Sequence, residues 1–128
     1  MADTEKITIN LSAVDLGRID LLAEEGFYSN RADFVRTAIR KELDSHRDVV
    51  EKSVARRSST VGLVVYTRPF LEACRKRRQK LDVVVVGAVH FARDITPALA
   101  AGTIRSMEIH GVLRASPGVK DVLADRMK

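Results

Sequence analysis

The stretch "EKITINLS", residues 5–12, alternates without a break. Side chains of a strand point to opposite faces with period two, so Ile7, Ile9 and Leu11 share one face and Lys6, Thr8 and Asn10 the other. One face calls for a core, and the other presents hydrogen-bonding groups.

Two helices are expected to follow. Ser12 with Asp15 three residues on has the form of a capping box with Asp in the usual Glu place, Val14, Ile19, Leu22 and Ala23 supply an apolar stripe, and Gly26 ends the run. In "FYSNRADFVRTAIRKEL", residues 27–43, either Ser29 or Asn30 can cap a second helix. Asp33 falls in its first turn, where the helix dipole favours an acid, and Phe34, Val35, Ala38, Ile39 and Leu43 recur at helical spacing.

A strand and two helices in about 40 residues cannot close a core, and a lone strand cannot pair its own backbone. A second copy would meet both needs through an antiparallel two-stranded ribbon over four helices. With that arrangement, residues 5–45 resemble the ribbon-helix-helix DNA-binding family, of CopG-like or MetJ/Arc type; "GFYSNRADFVRTAIR", residues 26–40, is the more specific part of the likeness. The resemblance implies a dimer whose swapped ribbon enters the major groove, which admits such a ribbon. Carried over position by position, Lys6, Thr8 and Asn10 become base-contacting residues. Ser29, Asn30 and Arg31, at the start of the second helix, become phosphate-contacting ones.

The chain has 128 residues, is 45% apolar and carries a net charge of +5. That charge is uneven. Residues 1–60 hold 10 Lys/Arg against 11 Asp/Glu, and residues 61–128 hold 12 against 6. Much of the excess is the run Arg75, Lys76, Arg77, Arg78 and Lys80, which reads either as the wet side of a helix, with Phe70, Leu71, Cys74 and Leu81 opposite, or as an anion-binding patch. It lacks the aromatic interleaving of a single-strand binder. Without a membrane-length apolar run or the pattern of a signal peptide, a cytoplasmic protein with no membrane partner is expected. The single Cys74 excludes an intramolecular disulfide.

The second half compares best with itself. "GLVVYTRPFLEA" from Gly62, "GAVHFARDITPAL" from Gly87 and "GVLRASPGVKDVL" from Gly111 align on their glycines, at spacings of 25 and 24 residues. Val83, Val85, Val89 and Phe91 then match Met107, Ile109, Leu113 and Ala115, while Val84 and His90 match Glu108 and Arg114. Strand, glycine kink, strand and a short helix-like turn at this period point to a short β-solenoid, with a small α/β layer as the alternative.

The fold class expected is therefore α+β. Residues 1–45 form the ribbon-helix-helix DNA-binding and dimerisation unit, 46–60 a helical extension and linker, and 61–128 a β-rich repeat module for assembly or partner binding. The function expected is a sequence-specific regulator of transcription that binds double-stranded DNA as a homodimer, or as a tetramer or larger through residues 61–128. Two alternatives stand beside it: an antitoxin whose second half engages an unidentified protein partner, and a DNA-tethered self-assembling scaffold. An enzyme is not expected, because no phosphate loop, nucleophile elbow or acid–base pair is present. Nickel-responsive regulators join a similar unit to a His- and Cys-based metal domain. Here His90 matches Arg114, His110 matches Val86 and Cys74 lies in a different segment, so neither metal nor cofactor is expected.

Overall fold

The computed structural model describes residues 4–128. The described residues divide into two compact units: Lys6–Lys52, and Ser53–Lys128 together with Thr4 and Glu5.

The first unit contains helices α1 (Ala13–Glu24) and α2 (Arg31–Ser45) and the start of α3 (Arg47–Arg56). Each of the first two begins where its cap directs. Ser12 Oγ accepts from the Asp15 N–H at 3.1 Å, and Asn30 Oδ1 accepts from the Asp33 N–H at 2.8 Å, so Asn30 rather than Ser29 is the cap. Past Glu25, Gly26 takes a φ of +90°, the Phe27 N–H reaches the Leu22 carbonyl and the Gly26 N–H reaches Ala23, a glycine-terminated helix end that reverses the chain toward α2. Ile19 is the one buried residue among positions 6–52.

The second unit holds three strands, β1 (Thr60–Tyr66), β2 (Leu81–Phe91) and β3 (Ile104–Arg114), in one parallel sheet of order β1-β2-β3. Helices α4 (Arg68–Lys76) and α5 (Pro97–Thr103) connect them, and α6 (Pro117–Leu123) follows β3. The register unites the internal repeat: Gly62 pairs with Gly87 and Gly87 with Gly111, while Val85 lies beside Ile109 and Val89 beside Leu113.

What forms is the small α/β layer, in place of the β-solenoid. Each repeat contributes one strand and one helix, because a Thr or Ser cap followed by Pro in the first turn starts a helix where the solenoid reading needed a tight corner. Thr67, Thr96 and Ser116 are those caps, and the chain's three prolines all stand in these first turns. Nor does the glycine divide two strands. Each strand runs through its glycine, whose φ lies between +124° and +140°, and the kink recurs in register so that the ladder survives it.

Alternation along β2 separates the two faces of this sheet. Val83, Val85, Val89 and Phe91 pack with Leu71 of α4, Leu99 and Ala100 of α5, and Val119 and Leu123 of α6 in one buried cluster. The three helices therefore cover a single face. The other carries Val61, Leu63 and Val65 of β1 and Val84, Val86, Ala88 and His90 of β2. There Arg57 pairs with Glu108, and Arg114 donates to the Thr4 carbonyl and the Glu5 carboxylate. At the start of β2, Asp82 accepts from Arg105 and from the Ser106 hydroxyl at 2.7 Å; these bonds hold its carboxyl well below the usual carboxylate range and pin β2 to β3.

Candidate nucleic-acid interface

The segment before α1 is not in a helix or in a paired strand within one chain. A strand needs a neighbour for its N–H and C=O groups, and β1, β2 and β3 pair among themselves. The alternation read from the sequence consequently lies open on both sides. Ile7 is 74% exposed, Ile9 and Leu11 are exposed as well, and so are Lys6, Thr8 and Asn10.

Beside it, Ile9, Leu11, Ile19, Leu22, Phe34, Val35, Ala38 and Ile39 line an apolar groove of about 540 Å³. Leu21, Phe27 and Leu43 are exposed too. Tyr28 steadies the turn by meeting Phe34 edge to face, with ring centroids 5.0 Å apart. Contiguous exposed apolar surface of this kind marks an interaction site.

At the start of α2, Asp33 bonds back to both residues before the helix. The Ser29 N–H donates to Asp33 Oδ2 at 2.9 Å while Asp33 N–H donates to Asn30. Ser29, Asn30 and Arg31 thus lie together on an exposed turn with the positive end of the α2 dipole beneath them. Arg31 has a further attachment. Its Nε and one terminal nitrogen each donate at 2.8 Å to the two carboxylate oxygens of Asp20 on α1. These hydrogen bonds lower the Asp20 carboxyl's pKa and raise that of Arg31.

Lys6, Thr8 and Asn10 stand on one exposed segment outside any helix or strand, and Ser29, Asn30 and Arg31 on one helix start. Asp20 was absent from the sequence reading because an ion pair across a turn, 11 positions from its partner, leaves no periodic trace. Asp33 was legible as an acid in the first turn of a helix, and its bond to the Ser29 N–H was not, since the usual signal for such a bond is Glu or Gln. The basic run lies at and after the exposed C-terminal end of α4, in the other unit, where cations complement the helix dipole; Lys80 donates to the Gly102 carbonyl at 2.6 Å. His90 sits beside Arg114 at 3.2 Å and His110 beside Val86, and among the described residues no group of three or more His, Cys, Asp and Glu could hold a metal ion. No helix of the described residues is long and apolar enough to cross a membrane.

No curated protein and no solved structure matches this chain. A family match, however, spans residues 2–120, so it takes in the parallel sheet as well as the opening segment and the two helices after it. With the two-helix unit, its exposed alternating segment and a match across nearly the whole length, the chain belongs to the Ribbon-Helix-Helix transcriptional regulator family.

Proposed function

We propose that this protein is a sequence-specific transcription regulator that binds double-stranded DNA as a homodimer and reads the major groove with a ribbon of two opening segments. Family membership implies DNA binding and dimerisation. The observation that carries the finer reading is the opening segment itself. It lies in no helix and no paired strand, its apolar residues are exposed, and an apolar groove in the same unit is lined by Ile9 and Leu11 together with α1 and α2. A second copy supplies the missing strand and helices, and Ile7, Ile9 and Leu11 turn inward.

In that arrangement Lys6, Thr8 and Asn10 from both chains face the base edges. Lys donates to guanine O6 and N7, Asn pairs with adenine N6 and N7, and Thr meets either a polar edge or a thymine methyl. Ser29, Asn30 and Arg31, with the backbone N–H groups at the start of α2, take a phosphate and set the register. Residues 61–128 form a separately cored module for assembly.

Selecting bound duplexes from a random pool tests this reading. A preferred site with two related halves is expected, and Asn10→Ala should lose roughly 1–3 kcal/mol on it and relax preference at one base pair per half-site. A single undivided site, or unchanged preference in the Asn10 variant, would overturn the assignment.

A further inference from the structure

The two edges of the parallel sheet are built differently. β1, "TVGLVVY", has no charged residue and no proline, and its ladder partner is β2 alone among the described residues. Val61 is 66% exposed, and Leu63 and Val65 are exposed beside it. Edges of this composition invite another strand, and proteins ordinarily blunt them with charge, proline or a covering segment. β3 has such protection along its first half. Arg105 and Glu108 lie there, Met127 bridges to Met107, and the Lys128 N–H donates to the Met107 carbonyl at 2.8 Å.

The protected part of β3 is the part that a β1 strand would not reach. β1 has seven residues and pairs with Val85–Phe91 of β2, not with Leu81–Val84. Carried one strand further by the β2–β3 register, the same footprint on β3 starts at Ile109, beyond Met107 and the C-terminal residues.

The glycine ladder has a direction as well. A Cβ on Gly111 would lie 1.9 Å from the Gly87 carbonyl oxygen, and one on Gly87 would lie 2.1 Å from that of Gly62. Both glycines are needed because the next strand's carbonyl occupies the side-chain position. At Gly62 the corresponding space is open. Its position would receive one more glycine carbonyl, and the kinked strand with an outer edge available to supply it is β3 of another copy. At the C-terminal end of β1, Phe70 of α4 is half-exposed next to Tyr66, with centroids 6.0 Å apart, which leaves apolar surface there.

We infer that the C-terminal units of separate molecules join head to tail, β1 of one copy adding in parallel to the segment of β3 from Ile109 onward in the next. The register places Gly111 of one copy against Gly62 of the other, Leu113 beside Val64, Val112 beside Leu63 and His110 beside Val61. On the helix-covered side Val64 then continues the apolar row of Val89 and Leu113, and on the other side Leu63 meets Val112. A heterologous contact of this kind is not self-complementary, so each copy keeps one used and one free edge and assembly goes on past the dimer, into a ring where the rotation closes and an open row where it does not. It deepens the assembly role given to residues 61–128 and is independent of how the ribbon reads DNA.

Cross-linking in the full chain without DNA tests it. Val61→Cys and His110→Cys are made separately, both at exposed sites, while the native Cys74 is buried. Neighbouring strands about 4.8 Å apart lie within disulfide reach. A 1:1 mixture should give a disulfide-linked pair under mild oxidation, and neither variant alone should. A pair formed by Val61→Cys alone would mean two-fold β1–β1 pairing and would overturn the head-to-tail order. No pair in the mixture, with both variants folded by circular dichroism, would overturn it also. In sedimentation the wild-type mass should rise with concentration beyond a dimer, and Leu63→Lys should stop at the dimer while selecting the same DNA. Loss of site selection with growth retained would count against the DNA reading alone.

Discussion

Replacing Gly87 by alanine measures what the glycine ladder does, and Gly62→Ala is its internal control. Both residues sit at positive φ, +140° and +124°, so both substitutions carry a backbone strain of about 1–3 kcal/mol. Only Gly87 adds a collision. Its new methyl would start 2.1 Å from the Gly62 oxygen, and even a close C–H···O contact requires about 3.3 Å, so β1 must withdraw by more than about 1 Å. Backbone neighbours cannot swing aside as a side chain can. Losing three or four ladder bonds at a net 0.5–1.5 kcal/mol each, on top of the strain, brings the total for Gly87→Ala to roughly 2.5–9 kcal/mol. Since a domain this size has about 5–15 kcal/mol in all, the unit should lose a large share of its stability and unfold at a much lower urea concentration. Gly62→Ala should cost only the strain. Urea unfolding by circular dichroism at low micromolar concentration, below assembly, reads both. Midpoints that give the two variants free energies within about 1 kcal/mol of each other would refute the reasoning, because the shared strain would then account for everything.

Three further outcomes follow from the same structure. Ile9→Lys would place a charge in the core shared by two copies at a cost of several kcal/mol, so dimerisation and DNA binding should disappear together; a folded monomer that binds its duplex would contradict this. Arg31→Ala should weaken all sequences alike and make the salt slope shallower by about one unit, whereas Asp20→Asn, which frees Arg31, should not; equal losses in the two variants would make Arg31 a positioning residue for the α1–α2 turn. Asp82 has a depressed folded-state pKa, so its bonds to Arg105 and Ser106 contribute stability above the ordinary Asp value of 3.8 and lose it as pH falls toward the folded value. Acid titration of wild type and Asp82→Asn should therefore show the variant less sensitive to pH below 3.8, and parallel curves would remove Asp82 from the account.

What the sequence determined by itself is the part governed by short-range rules. Ser12 and Asn30 with their acidic third residues, Gly26 at a helix end, and apolar residues at helical spacing specify α1 and α2 through bonds that span five residues or fewer. The glycine-aligned repeat also gave the sheet register before any coordinates, since strands that share a kink must align their glycines. The Thr-Arg-Pro, Thr-Pro and Ser-Pro triggers of α4, α5 and α6 were equally local, yet Val-rich neighbours drew the reading toward a β-solenoid; caps with proline were the stronger signal. Tertiary structure decided the rest. Whether the second layer covers one face of the sheet, which edge is left bare, and that Arg31 is held by Asp20 depend on distances between residues far apart in the chain, and no periodicity encodes those. The opening segment lies at the boundary between the two: its alternation is written in the sequence, but whether a strand forms there depends on a neighbour's N–H and C=O groups, and residues 4–12 lie in no paired strand within one chain.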